Sequence, residues 1–286
     1  MSKSGLTKKV ILIGSNGFFG KNIINFFPKN IFIKKIYRKD NIDNINFKNF
    51  NFIINSAADV YDEKKMFKNN TFLVHKVLEK ILKENPKMKL IHFGSSGEYG
   101  AVEKKSNEKD LILPRTIYEG TKAAATMLVQ AYSKQFKIKS IIIRPFSIYG
   151  QYENKTRILP NIFRHFLINQ KLKMYDGFHD YTYINDLIFF LEKLIKKNLI
   201  KNFGEIVNFG SGKQYSNFEI LKVCEKIFKK KSKAIKIKKF QKIYDKKIWY
   251  ADIKILKKKF NHNHKFNIKD GIENYLKIYK KITQIK

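Results

Sequence analysis

An apolar run over residues 10–13 passes directly into Gly14-Ser-Asn-Gly17-Phe-Phe-Gly20, and residues 21–27 then carry apolar side chains at helical spacing. A strand that turns into a helix through three glycines leaves little choice of fold. Glycine lets the backbone turn sharply and come close to a ligand, and the amides opening the helix attract an anion. The turn therefore fits the pyrophosphate of a dinucleotide, held by Gly14, Asn16, Gly17, Phe18, Phe19 and Gly20.

Further apolar runs at 31–37, 52–55, 89–93 and 140–144 alternate with helical patterns at 69–82 and 118–136. Segments such as FIIN and LIHF are apolar almost throughout, as strands buried on both faces are. The alternation predicts an α/β fold: a Rossmann-type doubly wound parallel sheet. From about residue 151 the pattern loosens. Helices near 218–229 and 268–282 and a short strand near 234–238 predict a smaller C-terminal α/β domain.

Eighteen residues beyond Gly20 stands Arg38, followed by Lys39 and Asp40. An acidic residue about here would hold the ribose 2′-hydroxyl of NAD, whereas an arginine attracts a 2′-phosphate. The cofactor expected is NADP(H). Asp40 keeps NAD open if the strand runs further.

A second glycine-rich strand end, Gly94-Ser95-Ser96-Gly97-Glu98-Tyr99-Gly100, precedes Tyr118 and Lys122. Tyrosine and lysine four apart share one helix face. An ammonium beside a phenol lowers the phenol's pKa, which makes a general acid/base for a carbinol oxygen. A serine hydroxyl from a neighbouring strand end can hold the same oxygen. Tyr118, Lys122 and Ser95 are the catalytic candidates.

With these motifs in place, the chain resembles the extended short-chain dehydrogenase/reductases, in the nucleotide-sugar epimerase/dehydratase/reductase group. The resemblance runs essentially end to end. It includes Asn55-Ser-Ala-Ala58, Asn70-Thr71, Arg144-Pro-Phe-Ser-Ile-Tyr-Gly150, His179-Asp-Tyr-Thr-Tyr-Ile-Asn-Asp186 and Asn208-Phe-Gly-Ser-Gly212 with Ser216 and Glu219. It implies that residues 1–150, with 179–207 returning to them, bind the cofactor, with Ala57, Ala58, Asn70, Lys122 and Pro145 added to the glycine turn. It implies that 151–178 and 208–286 bind a nucleotide diphospho-sugar, through Asn161 and Arg164, with Ser96, Ser147 and His179 added from the first domain. A homodimer is implied too, with Met127, Leu128 and Ala131 contributing to a helical interface.

Departures from the family pattern narrow the expected reaction. Sugar 4,6-dehydratases carry Asp-Glu after the catalytic hydroxyl residue, where this chain has Ser96 and Gly97. Glu98 comes one residue late, and on an extended strand end it should point to the other face. The 3,5-epimerising reductases need a cysteine where Gly97 stands, and the only cysteine is Cys224. Hydride chemistry alone remains: NADPH-dependent reduction of a C4 ketone on a nucleotide-linked deoxysugar for surface polysaccharide, with NAD-dependent 4-epimerisation as the alternative. A non-catalytic dinucleotide-sensing protein is the reading from another class, and the presence of both Tyr118 and Lys122 argues against it. His179 stands where the family often has arginine, and Ser147 where it often has asparagine, so the substrate contact is open to Arg157, Arg164 or a lysine.

Composition adds limits. Among 286 residues, 59 are basic and 24 acidic, for a formal charge of +35. Only five of the basic residues are arginine, and lysine is spread along the chain with the other residues of A/T-rich codons. Dedicated nucleic-acid binders concentrate arginine and aromatics in one patch, so no specific nucleic-acid partner is expected. A single cysteine excludes a disulfide framework and fits a reducing cytoplasm. No apolar stretch is long enough for a signal peptide or a membrane span. His262 and His264 lack a third spaced ligand, so no metal is expected.

Overall fold

The computed structural model describes residues 8–100, 102–240 and 248–284. The basic N-terminal stretch before residue 8 and part of the lysine-rich 229–259 segment lie outside the described residues. In chain order the elements are β1 (Lys8–Ile13), α1 (Phe18–Phe26), β2 (Ile31–Ile36), β3 (Phe52–Asn55), α2 (Glu63–Met66), α3 (Leu73–Glu84), β4 (Lys89–Phe93), α4 (Ile117–Phe136), β5 (Ser140–Pro145), β6 (Ser147–Tyr149), α5 (Ile158–Ile168) and β7 (Lys173–Asp176). They continue through β8 (Phe178–His179), β9 (Tyr181–Tyr183), α6 (Ile184–Lys196), β10 (Glu205–Phe209), β11 (Tyr215–Ser216), α7 (Asn217–Phe228), β12 (Ile235–Phe240), α8 (Lys254–Lys258) and α9 (Ile268–Thr283). Two compact units divide them. The first takes the chain up to Gly100, Leu111–Pro145 and Ile188–Val207, and the second takes the remainder.

The first unit is built on a six-stranded sheet of order β10-β5-β4-β3-β1-β2. The pairings from β5 across to β2 are all parallel. β3 and β5 are buried along their whole length, as two-sided burial of apolar strands requires. β2 is the edge strand, and it presents Lys34, Lys35 and a half-exposed Phe32 to solvent. Lysines there discourage pairing with another chain. Val74, Val77, Leu78 and Ile81 of α3 recur at helical spacing and pack with Ala125 and Val129 of α4 onto Ile11, Ile53 and Ile142. A six-residue π-helical stretch, Phe67–Phe72, leads into α3.

In the second unit, β6 pairs in parallel with β9, with Ser147 opposite Tyr181. β8 pairs with β11, and β7 with β12. The Phe163 ring of α5 lies 5.0 Å from Tyr275 and 5.2 Å from Tyr279 of α9, which brings the last helix onto this core. The buried Asp180 carboxylate organises the unit. It accepts from Ser211 N and Ser211 Oγ, each at 2.6 Å, and from Gly212 N and Ala251 N, each at 3.0 Å. A Cβ on Gly210 would stand 2.5 Å from that carboxylate, so glycine is required there. Ser216 and Glu219 form a capping box that starts α7.

The unit boundaries differ from those expected. The first unit stops at Pro145 instead of residue 150, because β6 pairs with β9 and not with the six-stranded sheet. For the same reason residues 179–187 cluster with the second unit. Residues 102–110 join it as well, since Ser106 bridges to Ala251 and Asn208 Nδ2 donates to Ser106 O at 2.9 Å.

Candidate active site

β1 delivers the chain to Gly14, where φ is +89°. A Cβ at Gly14 would lie 2.7 Å from Ala57 N, and one at Gly20 would lie 2.2 Å from Gly14 O. Any side chain at either position would force the turn apart. Gly14 N and Ser15 N donate to Ile36 O at 3.2 Å, and Ser15 Oγ accepts from Ile36 N at 3.1 Å. These bonds fasten the turn to the end of β2. Gly17 starts α1 without a side-chain cap, so the first amides of the helix are left for a ligand. The Phe19 ring stacks on Phe93 at 4.6 Å, and Asn16 is exposed. A dinucleotide pyrophosphate fits this turn because the tight glycine backbone opens onto helix amides that no side chain caps.

β2 ends at Ile36, and Asp40 closes the turn behind it by accepting from Tyr37 N at 2.8 Å. Its carboxylate is spent on the backbone. Arg38 is exposed, and its guanidinium stands 3.5 Å from the Asp59 carboxylate. Asn70 is fully buried. It accepts from Asp59 N at 2.6 Å and donates to Asp59 O and to Thr121 Oγ1. It thus clamps the loop after β3, which includes Ala57 and Ala58, to α4.

Beyond β4, Ser96–Tyr99 form a short 3₁₀ turn capped by Ser95. Ser95 Oγ accepts from Gly97 N at 3.0 Å, and Ser95 N donates to Glu98 Oε1 at 2.7 Å. The turn corrects the extended geometry expected for Glu98. The capping box, not strand alternation, carries this carboxylate inward. There Glu98 is fully buried and accepts from Thr126 Oγ1 at 2.9 Å and Arg144 Nε at 2.8 Å. The Arg144 guanidinium also lies over the Tyr99 ring at 4.6 Å.

Thr116 caps α4, which places half-buried Tyr118 in the first turn and Lys122 one turn on. Lys122 is 2% exposed, and its Nζ donates to Phe93 O at the end of β4. Burial pulls its ammonium down to about 8, with Glu98 opposing the shift. His92, on the same strand, is fully buried beside Asn55 and held neutral by burial.

The second unit contains a cavity of about 320 Å³ lined in part by Ser147, Asn161, His179 and Asn217. Arg157, Lys171 and Lys173 also line it, against one acid, Asp176. Ser147 Oγ lies 3.3 Å from His179 Nδ1. Burial, and then the Arg157 charge, push His179 down to about 3, so its ring is neutral near pH 7. Arg157 stands 3.8 Å from Glu153, a buried carboxyl that desolvation pushes up to about 8. Near neutrality Glu153 is largely protonated, which leaves the Arg157 charge uncancelled.

The model of the NAD dependent epimerase/dehydratase family matches residues 10–210, more than half of the chain. The chain belongs to this family. A dTDP-D-glucose 4,6-dehydratase of Dictyostelium discoideum is 26% identical over 269 residues, covering 75% of this chain and 61% of that protein. Among solved structures, a UDP-glucuronic acid 4-epimerase mutant from Bacillus cereus, bound to a fluorinated UDP-sugar and NAD, superposes with a TM-score of 0.84. It is 21% identical and covers 96% of this chain and 99% of that one. RMD from Pseudomonas aeruginosa, complexed with NADPH, gives a TM-score of 0.81 at 15% identity, over 96% and 100% of the two chains. Both likenesses show the Rossmann-type α/β fold.

Within this family member, the residues singled out from sequence fall into two groups. The glycine turn, Arg38, Ala57, Ala58, Asn70, Ser95, Ser96, Tyr118, Lys122 and Pro145 belong to the first unit. Ser147, Asn161 and His179 line one cavity of the second. Arg164 does not line it. Its guanidinium is taken up by Gln170 Oε1, Lys155 O and Asn161 Oδ1, which ties down the end of α5. The His262 and His264 rings meet edge-on, and both lie tilted against Phe209. Sequence reasoning missed Asn217 and Lys171, since neither carries a motif. It also missed the Glu98–Arg144 pair, although both residues lie inside motifs that drew attention.

Proposed function

We propose that this chain uses NADPH to reduce the C4 ketone of a nucleotide-linked deoxysugar, in the making of a surface-polysaccharide precursor. When bound, the nicotinamide supplies the hydride to the carbonyl carbon. Tyr118 gives its phenolic proton to the carbonyl oxygen as that carbon is reduced, and Ser95 Oγ donates a hydrogen bond to the same oxygen. The Lys122 ammonium favours the phenolate left behind. Arg157 and the lysines of the second unit's cavity supply positive charge suited to the diphosphate, with neutral His179 and Ser147 as hydrogen-bonding groups.

Glu98 carries the choice of reaction. Elimination of water needs a free carboxylate pair after the catalytic hydroxyl. Residues 96 and 97 supply none, and the one carboxylate of the 94–100 segment is consumed by Arg144, Thr126 and Ser95 N. Cys224 is fully buried in α7, which speaks against its serving as the cysteine of 3,5-epimerisation. The exposed Arg38 and the committed Asp40 support a 2′-phosphate.

The alternative is an NAD-dependent 4-epimerase, and one observation favours it. The Asp59 carboxylate 3.5 Å from Arg38 offsets part of the charge that a 2′-phosphate would need. Consumption of NADPH and NADH with 4-keto-6-deoxy sugars on each nucleotide, compared with Tyr118→Phe, separates the two. NADPH oxidation lost in the variant supports the reductase. Tightly retained NAD without net consumption supports the epimerase.

Among the described residues no helix is long and apolar enough to cross a membrane; the substrate in this reading is a dissolved nucleotide sugar of the cytoplasm. A homodimer completes the reading. Met127 is 60% exposed on α4 and Phe72 44% exposed beside α3, so both offer apolar surface to a second copy. Ala131 is exposed as well, whereas Leu128 packs against the core.

A further inference from the structure

The glycine turn and Ser95 lie beyond the carboxyl ends of the strands. At the amino ends of β1, β3 and β4, within the first unit, is a cavity of about 450 Å³. Lys8, Lys48, Lys87 and Lys89 line it, and among the described residues no carboxylate does. None of the four forms an ion pair among the described residues. Lys89 is half-buried, with its Nζ bonded to Asn198 Oδ1 and lying 5.9 Å from the centre of the Phe52 ring. Partial burial, and then the charges of Lys201, Lys139 and Lys8, hold this ammonium below the usual lysine range.

Hydrogen bonds brace the backbone of the rim. Asn85 Nδ2 donates to the carbonyls of Phe47, Lys48 and Phe50, which holds the 47–51 loop in one conformation. Asn51 Oδ1 accepts from Lys9 N at 2.8 Å, so the loop is also tied to β1. Four like charges held on a rigid rim repel one another. An anion placed among them gains attraction to each and relieves their mutual repulsion. The volume is that of a small-molecule site, not a polymer groove.

We propose that this cavity binds a small soluble polyphosphate anion, with two or three linked phosphate groups, independently of the dinucleotide turn. Ammonium groups suit phosphate as point charges, and amide donors such as Asn198 Nδ2 add hydrogen bonds.

The test is calorimetric titration of the full chain with inorganic tripolyphosphate, with NADPH in excess so that the glycine turn is occupied. Wild type is expected to show a saturable site that persists in Arg157→Ala, which weakens the diphosphate cavity of the second unit. The Lys48→Gln/Lys87→Gln/Lys89→Gln variant should bind at least tenfold more weakly, and Lys87→Gln alone several-fold more weakly. A charge-matched control, Lys277→Gln/Lys280→Gln/Lys281→Gln, neutralises exposed lysines of α9 and should change affinity less than twofold. Equal weakening in the control, or no saturable binding by wild type, would overturn the proposal. So would loss of RNA retention in the cavity variant with tripolyphosphate binding unchanged, which would mark a nucleic-acid surface.

Discussion

Arg144 donates from Nε to Glu98 Oε2 at 2.8 Å, and neither side chain is more than 1% exposed. One residue of the pair comes from the turn that begins at Ser95, the other from β5. The backbone amide of Ser95 is therefore held by a carboxylate that the ion pair fixes in place. Burying both charges is costly, and their attraction with the bonds from Thr126 and Ser95 N offsets that cost.

Removing one partner should be worse than removing both. Glu98→Ala leaves a buried guanidinium unpaired and should cost about 3–5 kcal/mol of stability. Glu98→Leu combined with Arg144→Met should recover much of that loss. Urea midpoints of the two variants check this, and a double variant less stable than Glu98→Ala would refute it.

Lys122 sets a pH limit. Its ammonium is pulled down to about 8, so the charge is present below that pH and is lost as pH rises through it. The phenolate of Tyr118 then loses its nearby cation. kcat/KM, which reports the free enzyme, should fall above about pH 8. A profile that stays flat to high pH would remove Lys122 from this role.

Arg38→Asp tests the cofactor. Charge-assisted bonds to a phosphate are worth about 1.5–3 kcal/mol, so the KM for NADPH should rise about 10- to 100-fold, while that for NADH changes little. Initial rates with both cofactors decide it. Equal loss with both would leave Arg38 without a part in discrimination.

In the second unit, Arg157→Ala should raise the KM for the nucleotide sugar about tenfold or more, with kcat less affected. His179 does not gain a proton until near pH 3. KM should therefore carry no inflection between pH 5.5 and 7.5 that disappears in His179→Asn. An inflection near 6.5 that does disappear would show the ring titrating.

Five of the six strands of the first unit's sheet are legible in sequence, because strands buried on both faces announce themselves as apolar runs, whereas α6 and the edge strand β10 are not. The apolar runs at 52–55 and 89–93 match β3 and β4 at both ends. In the second unit only α7, β12 and α9 are legible. β6, β8, β9 and β11 are two or three residues long, too short for any periodicity to register. The sequence reading predicts no helix over Ile158–Ile168, which holds a proline at position 160. Its place near the start of the helix is where proline is tolerated. In the site, residue types carried the reading of Tyr118 and Lys122. Nothing local could show that Arg164 would be spent on Gln170, since that depends on how the chain turns after α5.

The donors that meet Asp180 also order events during synthesis. The last of them, Ala251 N, is 71 residues further along the chain. A ribosome that has released β9 must go on for that whole distance before the carboxylate can leave water without penalty. The second unit should therefore close late and all at once. Nascent chains of intermediate length would meanwhile expose its apolar strands to chaperones and proteases, so the rate of translation through this stretch bears directly on yield.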